Sequence, residues 1–407
     1  MSKFKKRVFS GIQPSGDIHL GNYLGAVKKW VEISETVDSI FCIVDDHAIT
    51  VEYDARELPQ RTFNAAKASM ACGLDPQKCT IFVQSHVPEH MELTWLFNTI
   101  TPLGSLFRMT QFKEKNRGAL YKAISKKGGG ARSTLLHRIK GVGETALETS
   151  RKLAEDIESL NPDGEADDDV VARLNDELGG LMQHLQVGLG VAAASTGLLG
   201  YPVLQAADIL LYKANLVPVG EDQEQHLELC REIAERFNKR FGKVFPKAER
   251  IPGEAPRILG LDGKQKMSKS LGNHIGVLDP PQVILKKLSS AYTDPQRIRK
   301  NDPGRPEVCN IYSLHRYFTS DEKREELGGD CRKAGIGCFD CKKILHGNIV
   351  QALEPIWARA AQLDADPQLV LSALAEGGAR CREIAAQTMG EVRSAMGIGA
   401  GALGKLA

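Results

Sequence analysis

Four groups of residues in this 407-residue chain carry side chains able to do chemistry. The first is Gln13-Pro14-Ser15-Gly16-Asp17-Ile18-His19-Leu20-Gly21-Asn22, which follows the apolar run Val8–Ile12 and leads into a helical pattern. Strand, small-residue turn and helix in that order expose backbone N–H groups at a helix N-terminus, and such a terminus attracts phosphate. The second is Lys266-Met267-Ser268-Lys269-Ser270, two lysines three apart in a polar stretch. Two cations facing a helix N-terminus suit a polyphosphate whose charge shifts during reaction. The third is Asp208, an acid inside the apolar run Ala206-Ala207-Asp208-Ile209-Leu210-Leu211, where burial without a partner is expensive. The fourth is Cys309, Cys331, Cys338 and Cys341, spaced C-x21-C-x6-C-x2-C. The last pair has the tight bite of metal ligands, and Gly335 and Gly337 permit a sharp turn before it. Four thiolates can hold zinc or a [4Fe–4S] cluster. Cys42, Cys72, Cys79, Cys230 and Cys381 are scattered in apolar or helical contexts and read as ordinary thiols.

The elements that must position these residues alternate. Apolar runs at Val8–Ile12, Ile40–Val44 and Thr80–Val83 are separated by helical patterns near His19–Trp30, Ala55–Ala71 and Glu92–Thr99. That order predicts an α/β fold with a parallel, doubly wound sheet. The pattern resumes with a helix over about Val203–Tyr212, a strand Val217–Val219, a helix Gln223–Phe241 and a strand Pro256–Leu261. Between the halves, Lys126-Lys127-Gly128-Gly129-Gly130 reads as a hinge, and Glu144–Leu160 and Asp168–Leu185 as a helical hairpin. Residues 280 to about 375 read as helical, and Glu383–Met396 as a last helix before a Gly-rich, frayed tail.

With 53 basic and 51 acidic residues the net charge is +2, so there is no polycation signature, although a local basic face would serve a nucleic acid equally well. The basic segment Met1–Arg7 is followed by an apolar run broken at Gly11 and Pro14, which predicts no signal peptide. The longest apolar stretch, Val187–Leu199, is too short to span a bilayer. These features predict a cytoplasmic protein with no membrane or DNA partner.

Taken together, the first two groups resemble the paired signatures of class I aminoacyl-tRNA synthetases. The resemblance narrows with Phe9-Ser10-Gly11-Ile12-Gln13-Pro14-Ser15-Gly16, Val44-Asp45-Asp46-His47-Ala48-Ile49-Thr50, Ala206-Ala207-Asp208-Ile209-Leu210-Leu211-Tyr212 and Val219-Gly220-Glu221-Asp222-Gln223. These occur in the order seen in bacterial tryptophanyl-tRNA synthetases. The resemblance implies a Rossmann-type catalytic domain, 1–279, interrupted by a helical insert, 117–195. It also implies a helical anticodon-binding domain, 280–380, and a terminal segment, 381–407, packing back on the catalytic domain. Its implied partners are ATP with Mg2+, L-tryptophan, tRNA(Trp) and a second copy of the chain. A subset of the family carries nearly this cysteine spacing with a [4Fe–4S] cluster near the tRNA-binding surface, zinc being the alternative.

Attack of an already ionised carboxylate on the α-phosphate of ATP needs no general base, so catalysis must come from positioning and charge stabilisation. By resemblance, Gln13, Pro14, Ser15 and Gly21 line the ATP site, and His19 and Asn22 contact phosphates. Gly220, Glu221 and Asp222 border the ribose, and Ile258 touches adenine. Lys266, Met267, Ser268, Lys269 and Ser270 form the loop that follows pyrophosphate. Lys113 and Lys115 resemble further phosphate-contacting lysines. Asp208 would accept the indole N–H, Gln205 would hold Asp208, Tyr201 and Gln223 would bind the ammonium, and Phe9 and His47 would line the pocket. His19 stands where many family members have Thr, and Asp45-Asp46 replaces an Asp-Gln pair. Two other readings share these residues. One is the same chemistry with tyrosine, whose phenol a buried acid also accepts. The other is a non-catalytic paralogue that binds tRNA or senses redox state.

Overall fold

The computed structural model describes residues 5–14, 16, 18–110, 148, 151, 195–220, 223–251, 258–269 and 271–399. The chain divides into two compact units, one formed by residues 1–101 and 202–407 and the other by 102–201. Within the second unit the described elements are α6 (Leu103–Phe107) and the first turns of α7 (Thr196–Leu211). Most of the 117–195 insert, with its expected helical hairpin, lies outside the described residues, as do Lys113, Lys115 and 400–407.

The first unit is built on five parallel strands in the order β3-β2-β1-β4-β5: β1 (Arg7–Ile12), β2 (Asp38–Ile43), β3 (Thr80–Val83), β4 (Leu216–Val217) and β5 (Glu249–Arg250). β2 and β3 are buried along nearly their whole length, as expected of strands covered on both faces. Phe9 pairs with Ile40 and Gly11 with Cys42. Strand order reverses between β1 and β4, so the crevice at their carboxyl ends is where such a sheet binds ligands. Gln13-Pro14 leaves one of these ends and Pro218-Val219-Gly220 the other.

The helices of this half are α1 (Leu20–Asn22), α2 (Lys28–Ser34), α3 (Asp45–Ala48), α4 (Leu58–Ala71), α5 (Glu89–Asn98) and α8 (Glu224–Phe241). A π-helical stretch, Tyr23–Val27, joins α1 to α2 and replaces the regular helix expected there. Trp30 of α2 stacks on Phe41 of β2 with ring centroids 5.0 Å apart, which seals one face of the sheet.

The C-terminal region is helical: α9 (Pro281–Ser289), α10 (Asn310–Phe318), α11 (Asp321–Arg332), α12 (Cys338–Ala365) and α13 (Gln368–Met396). Ser320 caps α11 by accepting from the backbone N–H of Lys323. The final helix starts at Gln368, well before the expected Glu383, and runs across β3. Gly377 permits that crossing, since a Cβ there would collide with the Ile81 carbonyl. Arg393 pairs with Glu92 and Arg380 with Asp38, pinning the same helix at two further points.

The expected strand Pro256–Leu261 is not one of the five. Of that range residues 258–261 are described, and Leu259 instead bridges Lys266 in an antiparallel hairpin. The fifth strand is the charged pair Glu249–Arg250, too short and too polar to leave a hydrophobic pattern. Among the described residues no helix is long and apolar enough to cross a membrane.

Candidate active site

The apolar run that carries Asp208 becomes α7, and packing places the side chain in the protein interior, 2% exposed. Its carboxylate is met by three side chains from distant parts of the chain. His47 Nε2 lies 2.9 Å from Oδ2, while Gln84 donates to Oδ1 at 2.6 Å and His90 Nδ1 lies 2.7 Å from Oδ1. Burial by itself would raise the pKa of Asp208, but the hydrogen bonds from His47 and His90 outweigh it and bring it to about 2. The group is therefore a carboxylate at neutral pH, an acceptor with no proton of its own.

Gln205, one helical turn earlier, is not among these partners; Gln84 at the end of β3 and His90 on α5 hold the carboxylate instead. Phe9 stacks on Tyr212 with centroids 5.5 Å apart and planes 12° from parallel. Gln223 Oε1 accepts from His226 Nδ1 at 2.8 Å at the start of α8. Tyr201 is buried in the second unit. Beside the pocket, Asp45 accepts from the Ser85 backbone, and Asp46 is pushed up to about 6 by burial and by the charge of Asp45.

The two signature segments meet beyond the carboxyl end of β1. Gly16 has φ of +146°, and a Cβ there would collide with the Lys269 side chain, so that side chain lies directly over the turn. The lysine segment is held by backbone pairing: Met267 N–H donates to Ile258 at 2.9 Å, and Leu20 N–H to Ile275 at 2.9 Å. Val277 N–H donates to Ile18 at 2.9 Å. Asn273 accepts from Ser268 N–H at 2.8 Å and donates to Asp262 at 2.9 Å, bracing the turn between the two lysines and the helices beyond.

His19 serves as the N-cap of α1. Its Nδ1 accepts from Asn22 N–H at 3.2 Å, and the Asn22 carboxamide accepts from His19 N–H at 3.3 Å. Since Nδ1 is an acceptor, the ring proton sits on Nε2. Burial, then the charges of His274 and Lys266, lower its pKa to about 4, so the ring is a neutral donor at pH 7. A Cβ on Gly21 would lie 3.0 Å from the His19 ring, so this glycine makes room for the cap. Gln13 is exposed at the end of β1 and Pro14 is buried; Ile258 and Met267 are buried in the core beneath the hairpin, and Gly220 follows β4. Ser15, Glu221, Asp222 and Ser270 lie outside the described residues.

Gln84, His90 and Tyr212 are site residues that sequence reasoning missed. Each lies in a different segment, with no shared spacing to mark it.

The four clustered cysteines come from three places in the chain. Cys309 precedes α10, Cys331 lies in the last turn of α11, Cys338 opens α12 and Cys341 follows one turn later. All are free thiols and half-buried. Burial and then the other three thiols push Cys341 up to about 12, so the four share one electrostatic neighbourhood. Arg297 Nη1 donates to Cys331 Sγ at 3.5 Å, and His315 Nε2 lies 3.4 Å from Cys341 Sγ. Among the described residues no three His, Cys, Asp or Glu side chains stand at the spacing that holds a metal ion.

The family model for tRNA synthetases class I (W and Y) matches residues 1–127 and 178–354. The tryptophan–tRNA ligase of Deinococcus radiodurans is 43% identical over 396 residues, covering 96% of this chain and 98% of that protein. That of Aquifex aeolicus is 40% identical over 415 residues, covering 96% and 100%. The crystal structure of tryptophanyl-tRNA synthetase from Campylobacter jejuni, complexed with ADP and tryptophan, superposes with a TM-score of 0.71 at 30% identity, covering 96% of this chain and 100% of that one.

Proposed function

Because the chain belongs to the bacterial class I tryptophanyl-tRNA synthetases and is thus a tryptophan–tRNA ligase, we propose that the residues around Asp208 and Lys269 select the amino acid and activate it. The observation that carries this reading is the meeting of Lys269 with the Gly16 turn at the switch point of the sheet, while Asp208 is held as a buried carboxylate.

Each carboxylate oxygen accepts two hydrogen bonds. Gln84 and His90 occupy both positions on Oδ1, whereas His47 occupies one on Oδ2. The remaining position on Oδ2 suits an indole N–H, a donor with no acceptor lone pair. A side chain without that donor would leave the buried acceptor unpaired, so the pocket rejects it. A phenol could also donate here, which keeps tyrosine as the competing substrate in the test. Phe9 and His47 bound the indole, and Gln223 takes the ammonium.

The tryptophan carboxylate attacks the α-phosphorus of ATP, and the bond to the bridging oxygen of pyrophosphate breaks. No proton moves, so no base is required. Gln13, Pro14, Ser15, Gly220, Glu221, Asp222 and Ile258 orient the nucleotide. Neutral His19 donates from Nε2 to a phosphate oxygen, and Asn22 assists. Lys266 and Lys269, with Lys115, balance charge as it moves onto pyrophosphate. Magnesium on the phosphates would add to that neutralisation. The adenylate then esterifies the 3′-terminal ribose of tRNA(Trp), releasing AMP.

We assign residues 280–380 to tRNA binding and read the enzyme as a cytoplasmic homodimer, as the chemistry of its partners and its family suggest. Cys309, Cys331, Cys338 and Cys341 lie close enough to perturb one another, and four thiols are a donor set whose chemistry suits a [4Fe–4S] cluster or zinc, although in this structure they do not stand at metal-holding spacing. Such a group would staple the termini of α10, α11 and α12 together.

Pyrophosphate exchange with each amino acid tests the substrate: tryptophan-dependent exchange is expected, and tyrosine-dependent exchange would sink the assignment. Iron, sulfide and zinc content of anaerobically purified protein tests the cluster. About four irons and four sulfides per chain, with colour lost in Cys338→Ser, are expected; one zinc without colour would make the site a zinc staple.

A further inference from the structure

Asp208 is recognised from two sides, and the sides differ. His47, on the four-residue helix α3 at the mouth of the sheet, meets Oδ2, the oxygen with an acceptor position to spare. His90 meets Oδ1 from the interior, where it is 0% exposed. His90 Nε2 lies 2.7 Å from the Tyr212 hydroxyl, and Tyr212 in turn lies beside the Cys381 thiol on α13. Three buried rings fix the imidazole further: Phe82 stacks on it at 5.8 Å, Tyr212 is tilted against it at 5.4 Å, and Phe9 stacks on Tyr212 at 5.5 Å.

The proton positions along this line are constrained. A carboxylate cannot donate, so His90 Nδ1 carries a proton toward Oδ1. Its Nε2 meets the Tyr212 hydroxyl, so Asp208, His90 and Tyr212 form one line of buried hydrogen bonds.

We propose that His90 is a positioning residue for tryptophan selection: anchored by Tyr212, it fixes the rotation of the Asp208 carboxylate, so that the vacant acceptor position on Oδ2 points at the indole N–H. This rests on the reading that Asp208 accepts that proton donor. Gln84 alone shares Oδ1 with His90, so without His90 that oxygen keeps a single amide donor and the carboxylate is held less firmly about its Cβ–Cγ bond. The other titratable groups facing Asp208 do not replace His90. Cys42 and Cys230, like Tyr212, keep their protons at neutral pH, and Asp46 repels a carboxylate charge. The remaining partner, His47, stands on the ligand side.

The test is pyrophosphate exchange with KM measured separately for tryptophan and ATP, between pH 5.5 and 8.5, in His90→Leu, His90→Asn and Tyr212→Phe. Loss of a buried donor to a carboxylate should raise the tryptophan KM of His90→Leu roughly 30-fold at pH 7.5. Its ATP KM and kcat should stay within about twofold. That KM should climb further as pH falls, since an unsupported buried carboxylate takes up a proton and stops accepting. His90→Asn keeps an N–H near the Nδ1 position and should recover most of the loss. Tyr212→Phe removes the anchor without changing the packing and should raise the tryptophan KM about threefold. It therefore carries the test if His90→Leu does not fold.

An unchanged tryptophan KM in folded His90→Leu, equal rises for both substrates, or no advantage of Asn over Leu would each overturn the proposal. Failure of the wild-type enzyme to exchange with tryptophan would instead overturn the reading of Asp208 itself.

Discussion

The ends of this site that we assign to the amino acid and to the phosphates are built on opposite principles. The Asp208 carboxylate is buried and interlocked with side chains from α3, α5 and the turn after β3. Around Lys269 the holding is done by backbone pairing and by Asn273, and the Lys269 side chain itself reaches over the Gly16 turn. Selection needs a desolvated, rigid acceptor, because an unpaired polar group is costly only where water cannot reach it. Phosphoryl chemistry needs charge that can follow pyrophosphate as it leaves, which a rigid buried lysine could not do.

The difference predicts that damage at the two ends separates kinetically. Lys269→Ala should lower kcat for pyrophosphate exchange about a thousandfold while leaving the tryptophan KM near its wild-type value. An unchanged kcat would break the comparison outright. Asp208→Asn should do the reverse, raising the tryptophan KM about a hundredfold and eroding discrimination against phenylalanine, with kcat less affected; competition assays with both amino acids check it.

Gly16→Ala tests the contact between the halves of the phosphate site. The residue must abandon a φ of +146° or displace Lys269, and either outcome should lower kcat about tenfold. Combined with Lys269→Ala the effects should be less than additive, because both act through one side chain. Independent, additive losses would mean that the contact does not matter in turnover.

The smallest effect concerns the rim. Asp46 is raised to about 6 by burial and by Asp45, so the folded protein binds its proton more tightly than the unfolded chain does. A raised folded pKa contributes stability that is present below the unfolded value near 4 and is lost as pH rises through about 6. Asp46→Asn should therefore melt about 1–2 °C above wild type at pH 7.5, the residue being only partly buried, and the difference should vanish by pH 4. Thermal melts across that range measure it.

Much of the fold was readable because it is written in contiguous runs. Thr80–Val83 is a strand as expected, and Gln223–Phe241 begins one residue late as α8. The Glu249–Arg250 edge strand and the first half of α13 were not readable. Their elements are set by pairing with Leu216–Val217 and by close approach to Ile81, not by local pattern.

The same division runs through the site. Local chemistry within single segments marked the phosphate turn, the lysine pair, the cysteine spacing and the acid inside an apolar run, since each property depends on neighbours a few residues away. The partners of that acid come from His47, Gln84 and His90, separated from it by 161, 124 and 118 residues. Gln205 was the nearest polar residue on the same helical face, and locality favoured it. Folding instead brought β3 and α5 against α7, because burying their apolar faces outweighs any local hydrogen bond. Which donors the carboxylate receives was therefore decided by packing at long range, where one residue's sequence neighbours carry no information about its neighbours in space.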